Sequence, residues 1–163
     1  MARPGDLILV HMLEPQEIGS YFDRHRWPLH ITLLPWFSAR PDQHAQLRQT
    51  LTQVAQTVPP AAVTVGGIAQ FGPHKDIPVN LIADQTTLVP LHQALLDLIH
   101  ELGMPLVSAE WIGPTFTAHI SRYEDRHANA GDTVRVGSFY LVQLLNERTC
   151  QILGRFDLNG QHA

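Results

Sequence analysis

Apolar and polar positions alternate along the chain in blocks that predict strands and helices in turn. Leu7 to Met12 reads as a first buried strand. Glu14 to Asp23 is a short helical candidate, and Leu29 to Phe37 is a second strand entered through Pro28. Asp42 to Val58 carries Leu47, Leu51, Val54 and Val58 at near-helical spacing, and the pair Pro59-Pro60 stops it. Val63 to Phe71 is β-like, with Gly66 and Gly67 marking a bulge or a close approach. Gly72 to Asp76 is a turn, and Val79 to Ala83 a further strand. Leu88 to Leu102 is the clearest helix, with Leu88, Leu91, Leu95, Leu98, Ile99 and Leu102 on its apolar side and Gly103 ending it. Thr115 to Tyr123 is a strand. Val134 to Leu145 and Cys150 to Leu158 read as a hairpin closed by Asn146-Glu147-Arg148.

The order strand, helix, histidine-bearing strand occurs twice. This coarse duplication suggests two similar lobes facing each other. No low-complexity linker divides the middle of the chain, and 163 residues fit one domain or two small lobes with a common core.

Composition narrows the partners. Apolar residues make up 44%, enough for a proper core. Charged residues are only 16% and the net charge is -4, which excludes a broad cationic footprint for duplex DNA or an anionic membrane. The apolar run Leu7 to Val10 is too short for a membrane span and lacks the flanks of a secretory leader. The single cysteine, Cys150, allows no internal disulfide. A reducing, cytoplasmic setting is the expectation.

Histidine is the compositional oddity, with ten copies. Its unperturbed pKa lies in the physiological range, which makes it the usual acid–base group and also a metal ligand. Two histidines stand in related settings: Pro28-Leu29-His30-Ile31-Thr32-Leu33 and Thr117-Ala118-His119-Ile120-Ser121-Arg122. Both read histidine, apolar residue, hydroxyl residue. In a strand, positions i and i+2 share a face, roughly 7 Å apart. His30 and Thr32 therefore point one way while Leu29, Ile31 and Leu33 point the other. Thr115, Thr117, His119, Ser121 and Tyr123 share one face; Phe116, Ala118 and Ile120 share the apolar one. Each strand covers a core with one side and offers a histidine–hydroxyl pair on the other.

None of the other eight histidines fits this pattern. His11 in the first strand reads as a satisfied core histidine. His25, His44, His74, His92, His100, His127 and His162 fall in helices, turns or the tail. His74 with Asp76 lacks zinc-ligand spacing, so no metal site and no cofactor is expected.

Paired His-apolar-Thr/Ser motifs on strands half a chain apart resemble the 2H phosphoesterase superfamily. That superfamily includes the bacterial 2′-5′ RNA ligase-like proteins and the cyclic nucleotide phosphodiesterases. His30 to Phe37, HITLLPWF, is similar to the family's first motif. Gly67 to Gly72 followed by Val79 to Ala83 looks like the strand pair after it. The resemblance runs from about Leu7 to Tyr123. It departs at the second motif, where Ala118 stands in place of the frequent proline, Ser121 replaces the commoner threonine, and arginines sit at 122 and 126.

The resemblance implies hydrolysis of a 2′,3′-cyclic phosphate on an RNA end or small nucleotide, together with a reversible 2′-5′ RNA ligase activity. Two imidazoles across a groove supply the base that activates water and the acid that protonates the leaving oxygen. Thr32 and Ser121 can donate to the non-bridging phosphate oxygens. The catalytic candidates are thus His30, His119, Thr32 and Ser121. Trp36, Phe71, Tyr123 and Arg122 are candidate substrate contacts, although Arg122 falls on the opposite parity from His119. Arg24, Arg26, Lys75 and Arg126 are further cations, each more often a solvated surface charge. The expected fold is α+β: two pseudo-symmetric lobes of antiparallel sheet with outer helices and a central groove, interleaved as one bilobal domain over 1–163. The two imidazoles must lie within about 12 Å of each other to share a phosphate. The expected partner is a nucleotide or RNA end carrying a cyclic phosphate, bound by a monomer. Two other classes remain: a catalytically silent nucleotide- or RNA-binding module, and a metal-dependent hydrolase.

Overall fold

A computed structural model describes residues 1–161, so His162 lies outside the described residues. The strands are β1 (Leu7–Met12), β2 (Tyr21–Asp23), β3 (His30–Phe37), β4 (Ala61–Phe71), β5 (Ile77–Ile82), β6 (His119–Ser121), β7 (Thr133–Val136), β8 (Ser138–Leu144) and β9 (Thr149–Asp157). The helices are α1 (His44–Thr57) and α2 (Val89–Glu101), with 3-10 turns at Pro41–Gln43 and Gly113–Thr115.

The strand order is β2-β9-β8-β1-β3-β6-β5-β4-β7, and every pairing is antiparallel. One lobe runs from β2 to β3, the other from β6 to β7. They meet where Ile31 of β3 faces Ile120 of β6. The two histidine strands are therefore neighbours at the centre of the molecule.

Both helices lie over one face of the sheet. α2 packs on β3, while α1 packs on β9 and on α2. Leu47 and Leu51 of α1, Leu91, Leu95 and Ile99 of α2, and Leu9, Ile31, Val65, Ile82, Ile120 and Leu141 of the strands form one apolar cluster spanning both lobes. On the opposite face of the first lobe, Ile8, Val10, Met12, Tyr140, Val142 and Ile152 form a second cluster. β1 is thus buried on both sides, which explains its uninterrupted apolar run. His11 is one of these buried residues, its Nδ1 2.8 Å from the Ser138 carbonyl.

Three elements differ from the sequence reading. Glu14 to Asp23 forms no helix: Pro15 disfavours a helical Glu14, Gly19 sits at φ 89°, and Ile18 is 60% exposed with no core to cover. Its last residues instead form the edge strand β2. The strand foreseen over Thr115 to Tyr123 shortens to β6, because Pro114 lies in the 3-10 turn and Phe116 N–H closes back on the Gly113 carbonyl. Val134 to Leu145 is two strands broken at Gly137, with β7 at the far edge on β4 and β8 beside β1. At Gly66 the chain passes so close to β5 that a Cβ would stand 2.8 Å from the Leu81 carbonyl oxygen, beside a register shift between Val65 and Ile68.

Candidate active site

The two histidines are held by the same device. His30 Nδ1 lies 2.9 Å from the Pro28 carbonyl, and His119 Nδ1 lies 2.8 Å from the Thr117 carbonyl. A carbonyl only accepts, so each Nδ1 carries the hydrogen and each Nε2 is left free for chemistry. With Ile31 opposite Ile120, the antiparallel register sets Thr32 across from His119 and Ser121 across from His30. Directly opposed side chains stand about 5 Å apart, and the diagonal His30–His119 pair roughly 7–8 Å at Cβ. Each imidazole thus has the other strand's hydroxyl as its neighbour across the β3–β6 pair.

Burial dominates the electrostatics. It lowers the His30 pKa to about 4, against the Pro28 hydrogen bond, and the nearby His119 adds to the depression. Burial also lowers His119, opposed by its bond to Thr117. Both imidazoles are consequently neutral at pH 7.

A cavity of about 770 Å³ opens beside the pair, lined by Thr32, Pro35, Trp36, Thr117, His119 and Ser121, and walled by the β4–β5 hairpin and the loop before β6. Trp36 reaches it by an irregular route. Register shifts along β1–β3 turn both Leu33 and Leu34 into the core, after which Trp36 returns to the groove side and Phe37 to the core.

Aromatic rings flank both imidazoles. Trp27 lies 4.5 Å from His30, tilted 36°, with Trp36 edge-on to Trp27 at 6.3 Å. Phe71 meets His119 edge-on at 4.7 Å, and Trp111 lies 6.0 Å from His119 and stacks on Phe71. Trp27 and Trp111 carry no histidine-strand motif and were not foreseen as site residues. The available signal was the tryptophan count: the chain has only three, and all three gather here.

Tyr123 is drawn to the His30 side. Arg126 stands 4.4 Å over its ring and also donates to the Trp27 carbonyl, while Arg26 pairs with Asp125 at 2.5 Å. This strap closes over the Trp27 loop, and burial pushes the Tyr123 phenol up. Arg122 is not brought to the groove. Its guanidinium donates to Asn80 Oδ1 at 2.6 Å and to the Ala128 carbonyl at 2.9 Å, and Asn80 in turn donates to the Gly66 carbonyl. Lys75 does line the groove. Among the described residues, no three His, Cys, Asp or Glu side chains are grouped to hold a metal, and no helix is long and apolar enough to cross a membrane.

Comparison with known proteins places the chain in a family and a fold. The family model of the 2′-5′ RNA ligase superfamily matches residues 12–130. Curated protein sequences give no match. Among solved structures, TT0787 of Thermus thermophilus is similar at 19% identity and TM-score 0.64, over 96% of this chain and 100% of that one. E. coli LigT complexed with 3′-AMP is similar at 16% identity and TM-score 0.66, over 95% and 98%. LigT complexed with NADP+ gives 16% and 0.65, over 98% and 100%. At these identities the likeness establishes a common fold.

Proposed function

The chain belongs to the 2′-5′ RNA ligase superfamily, and from that premise we propose that it is a metal-independent phosphodiester hydrolase. Its substrate is a 2′,3′-cyclic phosphate on an RNA end or small nucleotide, and 2′-5′ ligation is the same ring opening with an RNA 5′-hydroxyl in place of water. The observation that carries the reading is the matched pair of imidazoles, each with Nδ1 tied to a backbone carbonyl, Nε2 free, and a hydroxyl opposite. E. coli LigT, which has the same fold, was crystallised with 3′-AMP, NADP+ and ATP, and this supports a nucleotide ligand. The enzyme acts as a cytoplasmic monomer.

Water attacks phosphorus while one P–O bond of the cyclic ester breaks. One Nε2 takes the proton from water; the other gives a proton to the departing ribose oxygen. We assign the ribose to the His119 side, where the β4–β5 hairpin and the loop before β6 line the cavity, so that His119 is the acid and His30 the base. The deeper depression of His30 suits it to act as the unprotonated partner. Thr32 and Ser121 donate to the non-bridging oxygens as charge builds. In ligation an RNA 5′-hydroxyl replaces water and loses its proton to His30.

Turnover of nucleoside 2′,3′-cyclic phosphates and of cyclic-phosphate RNA, in chelator, tests this. His30→Ala and His119→Ala should each lower kcat by roughly 10²–10⁴-fold. Wild-type rates in both variants would sink it. One observation favours a silent binding module instead: neither imidazole holds a proton at neutral pH before ligand enters. That reading requires nucleotide to bind and survive incubation unchanged.

A further inference from the structure

The groove has a second floor, beyond the groups that handle the reacting phosphate. Trp111 and Glu110 both line it, at the apex of the loop that precedes β6. The loop is tied at both ends. Val107 N–H donates to the Trp36 carbonyl at 2.9 Å, and Gly113 N–H donates to His92 Nε2 at 2.9 Å. His92 is itself fixed by Nδ1 on the Leu33 carbonyl and by stacking on Phe116. The apex is therefore held rather than draped.

Trp111 adopts φ 65°, a left-handed conformation that bulky residues rarely take and that costs on the order of 1–3 kcal/mol. The strain does not serve core burial, since the residue stays 40% exposed. Its ring lies nearly parallel to Phe71, 5.0 Å away at 20°, and beside His119. This is a backed aromatic shelf with surface left open at the groove.

Glu110 is exposed at the rim of the same groove. A carboxylate in a groove that receives a phosphate repels its ligand. Among the described residues its side chain has no hydrogen bond and no ion pair, and Lys75 on the facing hairpin does not neutralise it. A carboxylate only accepts hydrogen bonds. The ligand that turns this cost into affinity brings paired donors. Among nucleobases, guanine offers two adjacent ones, N1–H and the exocyclic amine, whereas adenine sets a donor beside an acceptor.

We propose that Trp111 and Glu110 form a nucleobase seat selective for guanine, the base stacking on the indole and donating its Watson–Crick edge to the carboxylate. This rests on the reading of the groove as a nucleotide phosphate site and names the base it takes. The seat lies on the His119 side, so the guanosine is the nucleoside that carries the cyclic phosphate.

Calorimetric binding of guanosine 3′-phosphate and adenosine 3′-phosphate tests the seat without turnover. The wild type should bind the guanosine nucleotide about tenfold tighter or better, as expected for hydrogen bonds to a charged group. Glu110→Gln should bring that ratio close to one. Trp111→Ala should weaken both nucleotides alike, by about fivefold or more, and Trp111→Phe should recover most of that loss. Equal binding of the two nucleotides by the wild type overturns the seat. So does a Glu110→Gln variant that weakens both equally, or a Trp111→Ala variant that changes neither. Guanosine preference in binding with no opening of guanosine 2′,3′-cyclic phosphate would sink the hydrolase reading and leave the seat standing. Turnover without base preference would sink the seat alone, and no binding of either nucleotide would sink both.

Discussion

Binding of a phosphate should draw a proton into the groove. His30 sits near pKa 4 and His119 is also lowered, so neither imidazole carries the proton that the proposed acid requires at pH 7. Lowering His30 from its ordinary 6.5 to about 4 corresponds to roughly 3 kcal/mol against the imidazolium. A phosphate anion about 4 Å from an imidazolium gains on the order of 4 kcal/mol at an effective dielectric of about 20. The two effects are of equal size, and the ligand therefore returns one imidazole to the neutral range. His119, the less depressed of the two, takes the proton.

The direction follows from the pKa in the complex lying above that in the free protein. The assistance to binding is full below the free value and is lost as pH rises through the raised one. Affinity should fall by up to about tenfold per pH unit between those limits. Titration calorimetry of a nucleoside 3′-phosphate near pH 7, in buffers of different ionisation enthalpy, counts the protons taken up. The ligand's own second ionisation, near pH 6, is removed by subtracting the same titration on variants. His119→Ala should lose most of the uptake and His30→Ala should keep it. No uptake by the wild type, or an unchanged uptake in His119→Ala, refutes the scheme.

The hydroxyls and the supporting histidine give further tests. Thr32→Val and Ser121→Ala should each lower kcat by roughly 10–100-fold with little change in melting temperature, since a hydrogen bond to developing charge is worth about 1.5–3 kcal/mol. His92→Leu should lower stability by roughly 2–5 kcal/mol in denaturant titrations, because the Leu33 carbonyl and the Gly113 N–H both lose their partner. Burial keeps His11, His30, His92 and His119 neutral, with folded pKa values below those of the unfolded chain. Their contribution is intact above about pH 6.5 and erodes as pH falls towards the folded values. The melting temperature should therefore drop between pH 6.5 and 4, and a flat or rising profile would contradict the assignment.

The placement of the two histidine–hydroxyl pairs was legible because it is local. Two tripeptides and the period of a strand are enough to place His30 with Thr32 and His119 with Ser121 on one face each. The helices were legible for the same reason, since Leu47 and Leu51, or Leu91, Leu95 and Ile99, mark a face without reference to any partner. Elements failed where tertiary contacts override local preference. Glu14 to Asp23 looked helical until the core left Ile18 nothing to cover, and Gly137 gave no sign that β7 and β8 part company.

The walls of the groove were hidden for a further reason. Trp27 and Trp111 act through space, from loops whose position depends on Arg126 and on His92, residues 99 and 19 positions away in the chain. The duplication visible in sequence predicts symmetry, yet those loops break it. On the His30 side Trp27 lies directly on the imidazole, and Arg126 holds the Trp27 carbonyl. On the His119 side the tryptophan stands back on Phe71 and leaves an open cavity. A duplicated motif alone would make the two imidazoles interchangeable. The unequal loops are the basis on which we seat the nucleoside on the His119 side, and with it assign the proton donor to His119.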